Sequence, residues 1–172
     1  MSVVSYLSTT DVAEKVRPVF EGIERKLGAV PNVFRAMAHS PELLEGFLAL
    51  NGALSKTKLD GKLRELAYIM TSELNHCGYC LNHHRTFGKK AGLSERQLNE
   101  ITSFETSDAY NDLERDVLRY AEQVTRHIDV EPALFDRLKA RLSDREMIEL
   151  AMTVGMASLT NRFTETLKFE LP

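Results

Sequence analysis

Tryptophan is absent from this chain, and cysteine nearly so, with two in 172 residues. So few thiols exclude a scaffold stapled by several disulfides. No apolar run approaches the roughly 20 residues that a helix needs to cross a bilayer, so no membrane partner is expected. The start, Met1 to Ser8, has neither the basic segment nor the long apolar stretch of a secretory leader, which sets a cytoplasmic expectation. Neither sign of charge dominates. The formal net charge is −3 and the longest basic run is Lys89-Lys90. That is not the electrostatic footprint of a nucleic-acid-binding protein. No stretch shows the period-two alternation of a half-buried strand, and no Gly/Pro/Ser-rich linker divides the chain.

What is present is helical. Hydrophobic residues make up 43% and charged residues 27%, enough apolar material for one core of ordinary globular type. Val12, Val16, Val19, Phe20, Ile23 and Leu27 recur at i, i+3, i+4 spacing behind Asp11, a good N-cap. Gly28-Ala-Val-Pro31-Asn32 ends that helix, and a short segment with Val33, Phe34 and Met37 follows. Ser40-Pro41 opens the next, with Leu43, Leu44, Phe47, Leu48 and Leu54. Asp60 caps a helix to about Asn75 that is apolar around most of its circumference, as a central buried helix should be. Another runs from the cysteines to about Ala91, where Gly92 stops it. Ser94-Glu-Arg-Gln97 and Ser143-Asp-Arg-Glu146 are capping boxes. Helices around 112–126 and 131–141 lie between them, after Phe104–Tyr110, the expected exposed loop. The last helix carries Met147, Ile148, Ala151, Val154, Ala157 and Leu159 with small Gly155 and Ser158. The expectation is one all-α domain of about eight helices over 1–172, with 1–56 as an N-terminal arm on a core of 57–172.

Both cysteines fall in one motif, Cys77-Gly78-Tyr79-Cys80, with His84 one helical turn beyond. Thiols three residues apart can form a disulfide with each other, and a histidine at i+4 from Cys80 shares its helix face and can take its proton. Only a thiolate attacks a peroxide or a disulfide efficiently, and a helix N-terminus favours it. Glu65 is an acid near the start of a largely buried helix, placed to orient the histidine or to accept the proton onward. Arg64 or Arg162 could hold it instead. Thiol redox chemistry is therefore the leading reading, against inert core cysteines or a zinc site of Cys77, Cys80 and His83 or His84. Structural zinc wants four ligands, and His39 and His127 stand alone. Leu81 after Cys80 excludes covalent c-type haem, and the missing βαβ pattern disfavours thioredoxin. No metal or cofactor is expected. Tyr79, His76 and Tyr68 are candidate pocket residues; His83 reads as a solvated helix residue.

Glu65 followed at this spacing by Cys77-x-x-Cys80-x-x-x-His84 resembles the signature of the alkylhydroperoxidase D (AhpD)-like branch of the carboxymuconolactone decarboxylase family. The resemblance runs over about 57–101 and extends to Asn161-Arg162-Phe163, similar to the peroxidase-related members. It implies an AhpD-like helical bundle assembled as homo-trimers or hexamers. It implies Cys80 as the peroxidatic thiolate, Cys77 as the resolving cysteine, His84 as base and Glu65 as relay acid. The substrate implied is a small hydroperoxide, and an external dithiol, protein or lipoyl type, resets the pair. The best-known members have a second histidine two residues after the first cysteine; here that residue is Tyr79. The same scaffold admits two other activities: disulfide exchange or redox sensing, and decarboxylation of a lactone acid. The decarboxylase branch does not rely on a C-x-x-C pair.

Overall fold

The computed structural model describes residues 1–171. Among these the chain is all-α, with nine helices and no strand. They are α1 (Arg17–Leu27), α2 (Asn32–Met37), α3 (Pro41–Leu54), α4 (Gly61–Leu74), α5 (Gly78–Lys90), α6 (Glu95–Asn99), α7 (Asp112–His127), α8 (Pro132–Lys139) and α9 (Asp144–Thr166). The helix beyond the expected eight is α2, which the sequence marks only as a short apolar segment.

Local chemistry sets most of the boundaries. Asp60 accepts the backbone N–H groups of Lys62 and Leu63 at 2.8 and 3.3 Å and so starts α4. Both expected capping boxes form, and a third, Asn111 with Glu114, opens α7. Gly92 takes a φ of +98°, a left-handed conformation that favours glycine, just past the end of α5. Gly88 lets α5 approach α4, since a Cβ there would meet Ile69 Cδ1 at 3.2 Å and Leu93 Cδ1 at 2.8 Å.

Three expectations are corrected. Helix α1 begins at Arg17, not after Asp11. An earlier start would put Pro18 in the helix interior, where its missing N–H breaks the ladder; at the second helical position it is tolerated. The Asp11 carboxylate turns back and accepts the Ser8 N–H at 3.2 Å. Ser40 precedes α3 but makes no side-chain cap. The segment from Phe104 to Tyr110 is not an exposed loop throughout. Both end residues are buried, and the Tyr110 hydroxyl donates to the Gln97 carbonyl.

Helix α4 packs against α5, α7 and α9. Its Leu66 and Ile69 enter one apolar cluster with Leu118, Leu134, Leu138 and Leu150. Its Tyr68 enters a second, with Phe20, Leu44, Tyr79, Met156 and Phe169. The N-terminal residues thus pack on the start of α5 and the second half of α9. Asn32 Nδ2 donates to the Glu170 carbonyl at 3.0 Å, and the Val3 amide to that of Leu167 at 2.9 Å. Both cysteines belong to this second cluster.

Candidate active site

The turn between α4 and α5 builds the thiol pair. Asn75 ends α4, and His76 takes a φ of +54°, which reverses the chain in one residue. The Cys77 amide then donates to the Ser72 carbonyl at 2.9 Å. Cys77 is the N-cap of α5: its sulfur accepts the Cys80 N–H at 3.2 Å, the part a Ser or Asp oxygen ordinarily plays. Thr164 Oγ1 of α9 touches both sulfurs, at 3.2 Å from Cys77 and 3.7 Å from Cys80. Its proton also bonds the Thr160 and Asn161 carbonyls, at 2.9 and 3.2 Å. Asn161, beside it, accepts from Asn75 at 3.0 Å and donates to Ser72 Oγ at 3.1 Å. Both cysteines are free thiols.

The two sulfurs are not equivalent. The Cys77 thiol is pulled below its ordinary range, first by the hydrogen bond from Cys80, then by Thr164 and the Cys80 backbone N–H, against burial. The Cys80 thiol is pushed up by that same hydrogen bond, by burial and by the charge of Cys77. The hydrogen bond within the pair thus favours negative charge on Cys77 over Cys80. Spacing alone suggests a thiolate at Cys80; the hydrogen bonds on the pair favour Cys77 instead, that from Cys80 first.

Glu65 and His84 meet. His84 Nδ1 lies 2.8 Å from Glu65 Oε2, and Arg64 donates to Glu65 Oε1 at 3.4 Å. Of the two arginines considered for Glu65, Arg64 is the one in contact; Arg162 is exposed and bonds the Ser158 carbonyl. The carboxylate fixes the His84 tautomer: Nδ1–H donates to Glu65, leaving Nε2 as the basic nitrogen. The ring stacks on Tyr68, with centroids 3.4 Å apart and planes 10° apart, and meets the edge of Phe87 at 5.4 Å. Burial, then the charge of Cys80, drives the Tyr68 phenol up, so it stays neutral.

No hydrogen bond joins His84 directly to either sulfur among the described residues. Instead His84 and Cys80 line one cavity of about 220 Å³. Phe34 and Phe47 of the N-terminal helices, with Tyr68, Tyr79 and Phe87, supply aromatic walls, and Asn51, His83 and Thr160 add polar atoms. Cys77 is fully buried behind it. The stacked Tyr68–His84 pair also borders a second cavity of about 430 Å³, with Arg64, Glu65 and Lys90. A groove of about 740 Å³ between α3 and α9 is lined by neither cysteine.

Glu65 thus pairs with His84, Cys77 with Cys80, and Cys80, His84 and Tyr68 line one cavity. Tyr79 lines the cavity with its ring, while its hydroxyl accepts the Val33 N–H at 3.1 Å. His76 does not belong to the pocket; it is exposed, because its role is the left-handed turn. His83 is not a solvated helix residue, since its Nε2 is buried. The described residues hold no group of three or more His, Cys, Asp or Glu side chains placed to bind a metal. Sequence reading missed Thr164, Asn161, Phe34, Phe47 and Asn51. The signal for the α9 pair is faint: Thr160, Asn161 and Thr164 are polar residues at helical spacing on its buried face.

Residues 41–123 match the profile of the Carboxymuconolactone decarboxylase family. The fold is similar to that of the alkylhydroperoxidase AhpD core of an uncharacterized peroxidase-related protein from Ralstonia eutropha JMP134. The TM-score is 0.88 at 23% identity, covering 99% of this chain and 92% of that one. A cysteine-to-alanine variant of the debrominase Bmp8, in complex with 2,3,4-tribromopyrrole, gives a TM-score of 0.85 at 25% identity, covering 100% of this chain and 92% of that one. The uncharacterized protein YdfG of Bacillus subtilis (strain 168) is 20% identical over 127 residues, 73% of this chain and 86% of that one.

Proposed function

The chain belongs to the carboxymuconolactone decarboxylase family, in its AhpD-like branch, and from that premise we propose that it is a thiol-dependent peroxidase of small organic hydroperoxides. The observation that carries the reading is a buried thiol pair of which one member, Cys80, opens on a cavity shared with a glutamate-backed imidazole.

The chemistry follows from the geometry. His84 Nε2 takes the proton of Cys80, through a water or the substrate itself, and Glu65 stabilises the imidazolium. The Cys80 sulfur bonds the terminal peroxide oxygen, the O–O bond breaks, and the departing alkoxide takes the proton from His84. Products are the alcohol and a sulfenic acid on Cys80. The Cys77 thiolate then attacks that sulfur, hydroxide leaves and gains a proton from solvent, and the disulfide closes. An external dithiol, protein or lipoyl type, reduces it and is itself oxidised. An apolar cavity of ~150 Å³ accepts a benzene ring, so about 220 Å³ suits a substrate with one aryl or short branched alkyl group.

Intact mass after one equivalent of tert-butyl hydroperoxide tests this. Loss of two hydrogens is expected, and an unchanged mass refutes the reading. The aromatic walls favour one alternative, removal of bromine from a small aromatic ring, since Bmp8 is named a debrominase and holds 2,3,4-tribromopyrrole. The same experiment with 2,3,4-tribromopyrrole separates the two.

A homo-oligomer, trimer or hexamer, and a cytoplasmic, reducing compartment complete the proposal. Supporting assembly, Ile148, Met152 and Leu159 are exposed on one side of α9 at spacings of four and seven, beside exposed Leu43 of α3. Such a seam suits a second copy of the chain. Light scattering is expected to give a multiple of the 19.5 kDa chain mass, and Ile148→Glu with Leu159→Glu to reduce it to the monomer.

A further inference from the structure

His83 is a titratable group of the cavity that this chemistry leaves unused. Its Nε2 is buried and has no hydrogen-bond partner among the described residues. Buried polar atoms without partners are rare in folded proteins, and one beside a reactive thiol calls for a ligand. The ring is held in place by Tyr79, centroids 4.9 Å apart, and Tyr79 is itself anchored on the Val33 amide. Cys80, His83 and His84 lie at i, i+3 and i+4 of α5, so all three look out from one helix face. They line the same cavity.

The two histidines differ in what backs them. His84 has a carboxylate at 2.8 Å, which stabilises the imidazolium and equips it to carry a proton. No acid bonds His83. Burial, and then the neighbouring His84, lower its pKa, so its ring is neutral at pH 7. A neutral imidazole in its Nε2–H tautomer donates a hydrogen bond from that nitrogen, but as an acid it is far weaker than an imidazolium. It is equipped to stabilise charge, not to move a proton.

We propose that His83 Nε2–H is the hydrogen-bond donor that receives the oxygen expelled when the O–O bond breaks; this rests on the hydroperoxidase reading above. As the Cys80 sulfur bonds the terminal oxygen, the O–O electron pair goes to the inner oxygen. His83 holds that oxygen while its charge develops, and His84 delivers the proton that makes it an alcohol. His83 is then a catalytic residue, touching the reacting atoms, and fills the role of an oxyanion-stabilising donor.

The test compares two rates on the full chain and its variants. One is disulfide formation with cumene hydroperoxide, followed by quench and intact mass. The other is alkylation of Cys80 by iodoacetamide, whose iodide leaving group needs no donor. His83→Phe keeps the packing on Tyr79 and is expected to slow oxidation about 100-fold, the usual cost of one such donor, while alkylation stays within about threefold. His83→Gln, with an amide N–H at similar reach, is expected to restore most of the rate. If the Phe variant fails to fold, His83→Asn replaces it; its amide is one methylene shorter and is expected to be slow. Oxidation at the wild-type rate in the Phe or Asn variant, a parallel fall in both rates, or a Gln variant no faster than Phe or Asn would overturn the proposal. A wild type that alkylates but resists every hydroperoxide overturns the hydroperoxidase reading and, with it, this one. A reactive wild type with an equally reactive His83→Phe overturns this one alone.

Discussion

Cys80→Ser is expected to lose hydroperoxide turnover by on the order of 1,000-fold or more. A serine hydroxyl stays protonated at neutral pH, and its oxygen cannot accept an oxygen atom from the peroxide. The size of the loss follows from where the two buried sulfurs stand relative to the cavity. Cys80 lines the cavity, whereas Cys77 is fully buried behind it and cannot substitute as the attacking atom. Cys77→Ser is expected to behave differently. It reacts once, gains one oxygen on Cys80 and stops, because no second thiol closes the disulfide. Consumption of tert-butyl hydroperoxide in the presence of dithiothreitol measures Cys80→Ser, and intact mass without added thiol measures Cys77→Ser, because dithiothreitol itself reduces a sulfenic acid. Undiminished consumption by Cys80→Ser would assign the nucleophile elsewhere.

Phe20→Ala is expected to destabilise the chain by about 3–5 kcal/mol, the range for emptying a buried phenylalanine site. Phe20 is fully buried and is an aromatic centre of the second apolar cluster, the one that also contains both cysteines. For a domain whose whole stability is of order 5–15 kcal/mol, that is a large fraction. A urea titration should show a lower midpoint with an unchanged slope. A midpoint within experimental error of wild type would mean that the N-terminal helices contribute little to the cooperative fold.

The fold was legible where one residue decides an outcome locally. Asp60, Gly92, Ser94 and Ser143 mark helix ends as their chemistry requires. The circumferential apolar pattern of α4 announces a central helix. The start of α1 was lost because Pro18 counts for more than Asp11, a contest that periodicity does not register. At the site, Glu65, Cys77, Cys80 and His84 are close in sequence and share two adjacent helices, so spacing alone suffices to suggest their convergence. Thr164 stands 87 residues from Cys77, and Phe34 and Phe47 come from helices whose packing no local pattern encodes. The asymmetry between the sulfurs also escapes spacing, since it depends on the hydrogen bonds that each one makes.

That dependence on distant walls has a consequence for how such chains are recognised. A piece running from residue 57 onward would retain the glutamate, both cysteines and the histidine, and would pass any search for that signature. It would nevertheless lack Phe34, Phe47 and Asn51, which enclose the reactive sulfur. The signature certifies that the reagents are present; the vessel in which they react is written elsewhere, in residues that carry no chemistry of their own.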